Sequence, residues 1–487
     1  MEFATATRAS SKPNLIMLSL ALGATTYALM QSLVVPAMPE IQRVTGASET
    51  SVSWILTAFL LVASVATPII GRLGDIYGKD KVMIGVLLGV VAGTIVSAAA
   101  PQNLNVVIAG RAIQGVGGGI FPLAFAIIRD EFPKEKIASG IGFLSSLIGA
   151  ASGFGIVLAG FVIDHASYSV VLWLPLAATI PALYTARVFV PPSPIRAPGK
   201  INYRSAALMS IGLATVLVAI SEAVEWGWGS TKTLGMISVG LAFVAAWILN
   251  EIRSEVALVD MAMMRIRGVW TTNVVAFLVG IGMYSSFILI PLLVQEPKST
   301  GYGFGASVVG GALFVLPTAL TMLLAGQIVG PIERRVGSRP PLLAGCLLTA
   351  AGFIMLVPLH AAAIDIYVAS ALMGLGIGLA YSTLATLIVE NVEPSQTGVA
   401  TGMNNVLRTV GGAFGAQLAA TILAGKLAPD GLPTDGAFTW AFLMCAIALV
   451  IAFAAGFLIP KRGRVFDTME PEHDRGHVRA AGLGEPA

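Results

Sequence analysis

Gly71-Arg72-Leu73-Gly74-Asp75-Ile76-Tyr77-Gly78-Lys79-Asp80-Lys81 is the stretch on which the fold turns. It sets glycines and charges between two long apolar runs, roughly Val52 to Ile70 and Val82 to Ala100. A connection this short joins neighbouring antiparallel helices. Its glycines let two backbones approach closely, while Arg72, Asp75, Lys79 and Lys81 are placed to bridge helix ends at a membrane surface. The arrangement is that of a latch.

Composition sets the class around that stretch. The 487 residues are 56% hydrophobic and only 11% charged, and the mean hydropathy is +0.84, far too apolar for an ordinary soluble fold. The chain is expected to be an all-α polytopic membrane protein. Cys346 and Cys445 both lie in apolar runs, which points to neither a disulfide nor a metal site. The first apolar run is long enough to span and no small-x-small cleavage site follows it, so it reads as a retained helix.

About fourteen runs of roughly 18 to 25 apolar residues, each able to cross some 30 Å of hydrocarbon, recur from near residue 14 to near residue 459. Of the 29 Lys and Arg, only Arg43, Lys232, Lys298 and Lys426 fall in the odd-numbered loops. By the positive-inside rule both termini, and the Gly71 loop with them, face the cytoplasm. The organisation reads as a tail over 1–13, a six-helix bundle over 14–190, a linker over 191–204, two additional helices over 205–249, a second linker over 250–269, a second six-helix bundle over 270–459 and a tail over 460–487.

An internal repeat supports that grouping. A constant displacement of 259 residues carries Gly71 and Gly78 onto Gly330 and Gly337, Gly115, Gly117 and Gly119 onto Gly374, Gly376 and Gly378, and Gly153 onto Gly412. The shift takes one cytoplasmic loop to another, which requires an even number of spans between equivalents, and eight fits. Parallel halves of this kind suggest a rocking transporter whose site lies between them near the membrane middle.

The quoted loop resembles the signature between the second and third helices of the major facilitator superfamily. "RAIQGVGGG", Arg111 to Gly119, resembles that superfamily's fourth-helix motif, and "GAASGFGIVLAG", Gly149 to Gly160, the glycine-rich fifth-helix motif of its exporters. The number of spans, "EWGWGS" and the loop "EIRSEVALVDMAMMR" further resemble the fourteen-span drug:proton antiporter branch. The resemblance covers Ala21 to Pro460 and implies two six-helix bundles plus two central helices, no enzymatic activity and no catalytic residues. It implies export of a small amphipathic compound, a drug or a secondary metabolite, by alternating access in exchange for protons. A proton-independent facilitator or lipid flippase of the same fold is the alternative. The implied setting is a bacterial cytoplasmic membrane with lipids as neighbours, a monomer, no nucleic acid, no metal and no cofactor beyond a proton gradient.

Each motif carries its own expectation. In the latch, Gly71, Arg72, Gly74, Asp75, Gly78 and Lys79 close the cytoplasmic side: Asp75 accepts hydrogen bonds from an opposing helix end while Arg72 and Lys79 stay in the headgroup zone. The second-half counterpart has Arg334 where Asp75 would map, so latching should be asymmetric. Arg111 lies inside the fourth span and must face the bundle interior, sharing a face with Gln114. The resemblance makes Arg111, Gln114, Gly115 and Gly117 a proton relay. Gly149, Gly153, Gly155 and Gly160 line one helix where small residues permit tight crossing. Ile156 stands where the exporters carry a proline, so the kink should be weaker.

No Asp or Glu lies in the middle of any span, and Met30 stands where relatives place an aspartate. The candidate cavity is Tyr27, Met30, Gln31, Gln114, Asn404 and Asn405, with Arg408 close by. The candidate protonation sites are Glu222 and Glu225, toward the outer end of the seventh span. A cavity without central carboxylates is a poor trap for permanent cations, so the expected substrate is neutral, zwitterionic or anionic, the last favoured by Arg111.

Overall fold

The computed structural model describes residues 13–197 and 200–460. Apart from residue 13 and residue 460, the tails expected over 1–13 and 460–487 lie outside the described residues. Among the described residues, fourteen helical spans are long and apolar enough to cross a membrane. The first six are Pro13–Thr45, Ser51–Tyr77, Lys79–Ala99, Leu104–Glu131, Lys134–Ile163 and Tyr168–Phe189. The seventh and eighth are Tyr203–Ser221 and Thr231–Arg253. The ninth to fourteenth are Arg267–Gln295, Val309–Val336, Arg339–Leu356, Ala363–Asn391, Pro394–Ala424 and Asp435–Gly456. With an even number of spans, the first and last described residues fall at one end of the bundle, here called the basic end.

Two of the described spans are interrupted part-way. The first is helical over Pro13–Ser32, tightens into a 3₁₀ turn over Val35–Ala37 and continues as Met38–Thr45. Pro36 and Pro39 remove two N–H donors there, which breaks the ladder. The fourth is α-helical over Leu104–Gln114, 3₁₀ over Gly115–Gly119 and α-helical again over Ile120–Glu131. This is where the second span comes closest: a Cβ on Gly115 would stand 2.8 Å from the Phe59 carbonyl oxygen. The glycine run exchanges helical regularity for backbone contact. The fifth helix, in contrast, runs without interruption over Lys134–His165.

The two six-helix groups meet along two seams, second span on thirteenth and fifth span on tenth. Each seam is the image of the other under the shift of eight spans. Gly71 faces Gly398 at 2.3 Å from a would-be Cβ to its carbonyl oxygen, and Gly330 faces Ser139 in the same way, at 2.2 Å to its Oγ. The shift of 259 carries Gly71 to Gly330 and Ser139 to Gly398, so the repeat read from glycine spacing is a repeat of contacts.

The seventh and eighth spans cross at Gly212 and Gly240, and the seventh leans on the second and thirteenth. Glu251, only 3% exposed, fixes the connection that follows them. Its carboxylate accepts from Trp247 Nε1 at 2.9 Å, from the Leu258 and Val259 amides at 2.9 and 3.3 Å, and from Ser205 Oγ. A cleft of about 480 Å³ separates this connection from Arg72 and Val399.

Candidate functional site

At the basic end, Asp75 is fully buried and crosses the seam. Its Oδ1 accepts from the Gly398 amide at 3.2 Å and its Oδ2 from the Val399 amide at 3.0 Å. These are among the first amides of the helix Thr397–Ala424, whose unpaired N–H groups and dipole favour an anion. Gly74 leaves room for Leu123, whose Cδ2 would lie 2.2 Å from a Cβ, and Gly78 turns the chain with φ +104°.

Lys79 departs from the headgroup position expected of it. It is fully buried, its Nζ 2.6 Å from Asp130 Oδ2 and 3.2 Å from the Ile195 carbonyl. The linker after the sixth span supplies that cover: the Ala197 amide donates to the Asp75 carbonyl at 2.6 Å, and the Ser193 amide to Asp80 Oδ1 at 3.1 Å. Arg129 joins the same assembly across the seam, donating to Thr397 Oγ1 at 2.6 Å and to the Val392 carbonyl at 2.7 Å. Arg72 stands aside and lines the 480 Å³ cleft with Asp260 and Arg265. Sequence reasoning missed Arg129 and Asp130. Their signal was an adjacent cation and anion at the basic end of an otherwise apolar span.

A second group lies in the middle of the spans. Arg111, 3% exposed, donates through Nη1 to Gln114 Oε1 at 2.7 Å and lies 4.4 Å above the Phe59 ring. Gln114 Nε2 donates in turn to Thr94 Oγ1 at 2.9 Å, while Arg111 Nη2 has no partner. Met30, Arg111 and Gln114 line a void of about 10 Å³, near the volume of one water. Met30 itself is fully buried and fills the space left by Gly117, its Cε 2.9 Å from a would-be Cβ.

From the other half comes Arg408. It is 4% exposed, lies 3.7 Å over the Tyr381 ring and donates to the Tyr381 hydroxyl at 2.6 Å and to Asn405 Oδ1. Tyr27, on the first span, interacts electrostatically with Arg111, Arg408, Tyr284 and Tyr381 together. Asn404 turns away and donates to Asn273 Oδ1 at 2.9 Å. Gln31 and Asn405 are half-buried. Tyr284 and Tyr381 were not anticipated. Each is a lone phenol in a long apolar run, and only the fold shows that the two converge.

The fifth-span glycines divide by direction. Gly149, Gly153 and Gly160 face Met322, Ala319 and Val309 of the tenth span, whereas Gly155 faces Ser32 and Leu29 of the first. Glu222 and Glu225 lie apart from both groups, at the end of the bundle opposite the basic end, where Trp228 Nε1 donates to Thr421 Oγ1 at 2.7 Å. Burial first, and the neighbouring Glu225 second, push the Glu222 carboxyl above the usual range. Among the described residues no group of His, Cys, Asp and Glu could hold a metal ion.

The family model described as Major Facilitator Superfamily matches residues 20–416. The chain belongs to the Major Facilitator Superfamily. Members of this superfamily are membrane transporters and not enzymes. The chain is 27% identical over 442 residues to the Multidrug transporter protein MdtP of Bacillus subtilis, covering 87% of this chain and 80% of that one. It is also 27% identical over 417 residues to the Tetracenomycin C resistance and export protein of Streptomyces glaucescens, covering 84% and 76%. The crystal structure of the human organic anion transporter MFSD10 shares the fold, with a TM-score of 0.66 over 92% of this chain and 100% of that one at 18% identity. This superfamily member is thus a multi-pass membrane transporter whose relatives bear multidrug and export names.

Proposed function

We propose that the protein exports small amphipathic compounds across a bacterial cytoplasmic membrane by alternating access, in exchange for protons. The basic end, with both termini, faces the cytoplasm in this reading, as the distribution of Lys and Arg suggests. The observation that carries it is the grip of Asp75 on the first amides of the opposite half. A charge-assisted contact across the seam closes the inner face while the halves part on the outer one, and its release reverses the tilt. The names of the relatives favour export as the direction. Glu222 and Glu225, at the outer face, are the proposed proton acceptors.

The test is purified protein in proteoliposomes carrying an imposed pH gradient, with drug flux followed before and after an uncoupler. Flux that collapses with the gradient supports exchange. Flux indifferent to it favours the facilitator or flippase reading, which the scarcity of acidic groups in the middle of the spans also suits.

A further inference from the structure

Arg408 begins as a puzzle of burial. It sits about 17 Å along the helix that starts at Thr397, near the middle of the bilayer. A guanidinium at that depth faces a protein interior or a cavity and finds an acceptor. The acceptors recorded for Arg408 are a phenol and an amide, Tyr381 and Asn405, and both are neutral. Its Nε is buried and unpartnered. Across the seam, Arg111 repeats the pattern: its partners are Gln114 and the Ile55 carbonyl, its platform is Phe59, and its Nη2 is unpartnered.

Tyr27 stands between the two groups: its ring lies 5.6 Å from that of Phe59, the platform of Arg111, and it is within electrostatic reach of Arg408, Tyr284 and Tyr381. One N–H donor on each half, Arg111 Nη2 and Arg408 Nε, therefore lacks an acceptor, and no ion pair to either arginine is found among the described residues. A bound anion would supply both the missing acceptor and the missing countercharge. Its apolar body would find aromatic faces in Tyr27 and Tyr284. An organic cation would meet two like charges in a medium that screens them poorly.

We infer that Arg408, with Arg111 opposite, is the anion-recognition residue of the transport cavity and that the compound exported is an organic anion with an aromatic or otherwise apolar body. The inference rests on the export reading for its direction but not for its binding chemistry. Arg408 thus selects by charge, the phenols select by shape, and the seam decides to which side the site opens.

The experiment uses the full chain in detergent and three probes of one shape: 9-anthracenecarboxylate, 9-anthracenemethanol and 9-anthracenemethylammonium, with binding measured by equilibrium dialysis. The carboxylate is expected to bind about tenfold or more tightly than the ammonium. Arg408→Gln should bring the ratio of carboxylate to methanol affinity down to about one, and Arg408→Lys should restore part of it; a preference that survives Arg408→Gln overturns the proposal. Equal or better binding of the ammonium by the unaltered protein overturns the proposal without any variant, as does no binding of the carboxylate at millimolar concentration. Displacement of the carboxylate by chloride at equal concentration would make the site an inorganic-ion seat and overturn it too. Binding is read without flux, so the two readings fail separately: carboxylate bound through Arg408 but unmoved by a pH gradient sinks proton exchange alone, and gradient-driven flux of the ammonium alone sinks the anion site.

Discussion

Asp75 and Arg334 occupy equivalent seats in the two halves and grip equivalent helix starts with opposite charge. Asp75 holds the Gly398 and Val399 amides. Arg334, displaced by 259 residues, donates to the Glu135 carbonyl at 3.1 Å and to Ser139 Oγ at 3.2 Å. The same displacement takes Ser139 to Gly398. A carboxylate meets the positive end of a helix dipole at its seat, but a guanidinium at the other meets the end that disfavours it.

The latch should therefore be unequal. Asp75→Asn weakens two charge-assisted bonds in a buried seat, worth about 1.5 to 3 kcal/mol each, and should shift the balance toward the inward-open form by tenfold or more, roughly. Arg334→Ala, in an exposed seat, should shift it by less than about threefold. Accessibility of a cysteine placed at Asn405 to an impermeant maleimide reports the balance, because the native Cys346 and Cys445 are both buried. Equal effects of the two substitutions would refute the unequal latch.

Lys79 and Asp130 pair with their side chains each 1% exposed. Breaking a buried pair leaves one charge uncompensated and costs about 3 to 5 kcal/mol, whereas replacing both partners by apolar residues is close to neutral. Asp130→Asn and Lys79→Ala should each lower the thermal midpoint in detergent, and Lys79→Met with Asp130→Leu should recover most of the loss. A double variant as unstable as either single one would show that the pair acts through something other than its charges.

The spans and the repeat were legible because hydropathy and glycine spacing are local properties of the chain. The partners of Asp75 were not, since Gly398 lies 323 residues away. Lys79 was read as a surface lysine because neither the linker that covers it nor Asp130 announces itself by spacing. The central site was half legible: Arg111 and Tyr27 stood out, but the convergence of Tyr284, Tyr381 and Arg408 is made by three helices whose hydropathy says nothing of rotation. Glu333, adjacent to Arg334 in the second-half counterpart of the loop, gives no sign in the sequence of which way it points.

That residue points inward. Glu333 is 6% exposed, and neither carboxyl oxygen has a hydrogen-bond partner. A like charge, Glu390, acts on it, with the Thr383 and Thr386 hydroxyls alongside. Position 74, its equivalent in the first half, is a glycine, and Ser338 stands where Lys79 would map, so the second half carries an acid that the first lacks there and no lysine at the equivalent of Lys79. An uncompensated buried carboxylate costs stability. Glu333→Gln should therefore raise the thermal midpoint at neutral pH or leave it unchanged, and a fall of several degrees would mean that the carboxylate has a cation this structure does not place beside it.

Glu222 gives the clearest pH dependence. Burial, then Glu225, raise its carboxyl above the ordinary glutamate range, so the folded protein holds this proton to a higher pH than the unfolded chain does. Below the ordinary value both states are protonated and the associated stability is fully present. It is lost as pH rises from that value through the raised one, because the unfolded chain ionises freely while the folded one resists. Glu222→Gln should match the unaltered protein in thermal midpoint at low pH and exceed it increasingly toward neutrality. As the proposed proton acceptor, Glu222 should also set the pH at which flux half-saturates on the outer side, and Glu222→Gln should cut gradient-driven flux by about tenfold with probe binding intact. A variant whose stability gap narrows as pH rises would reverse the assigned direction, and unchanged flux would move proton exchange to another group.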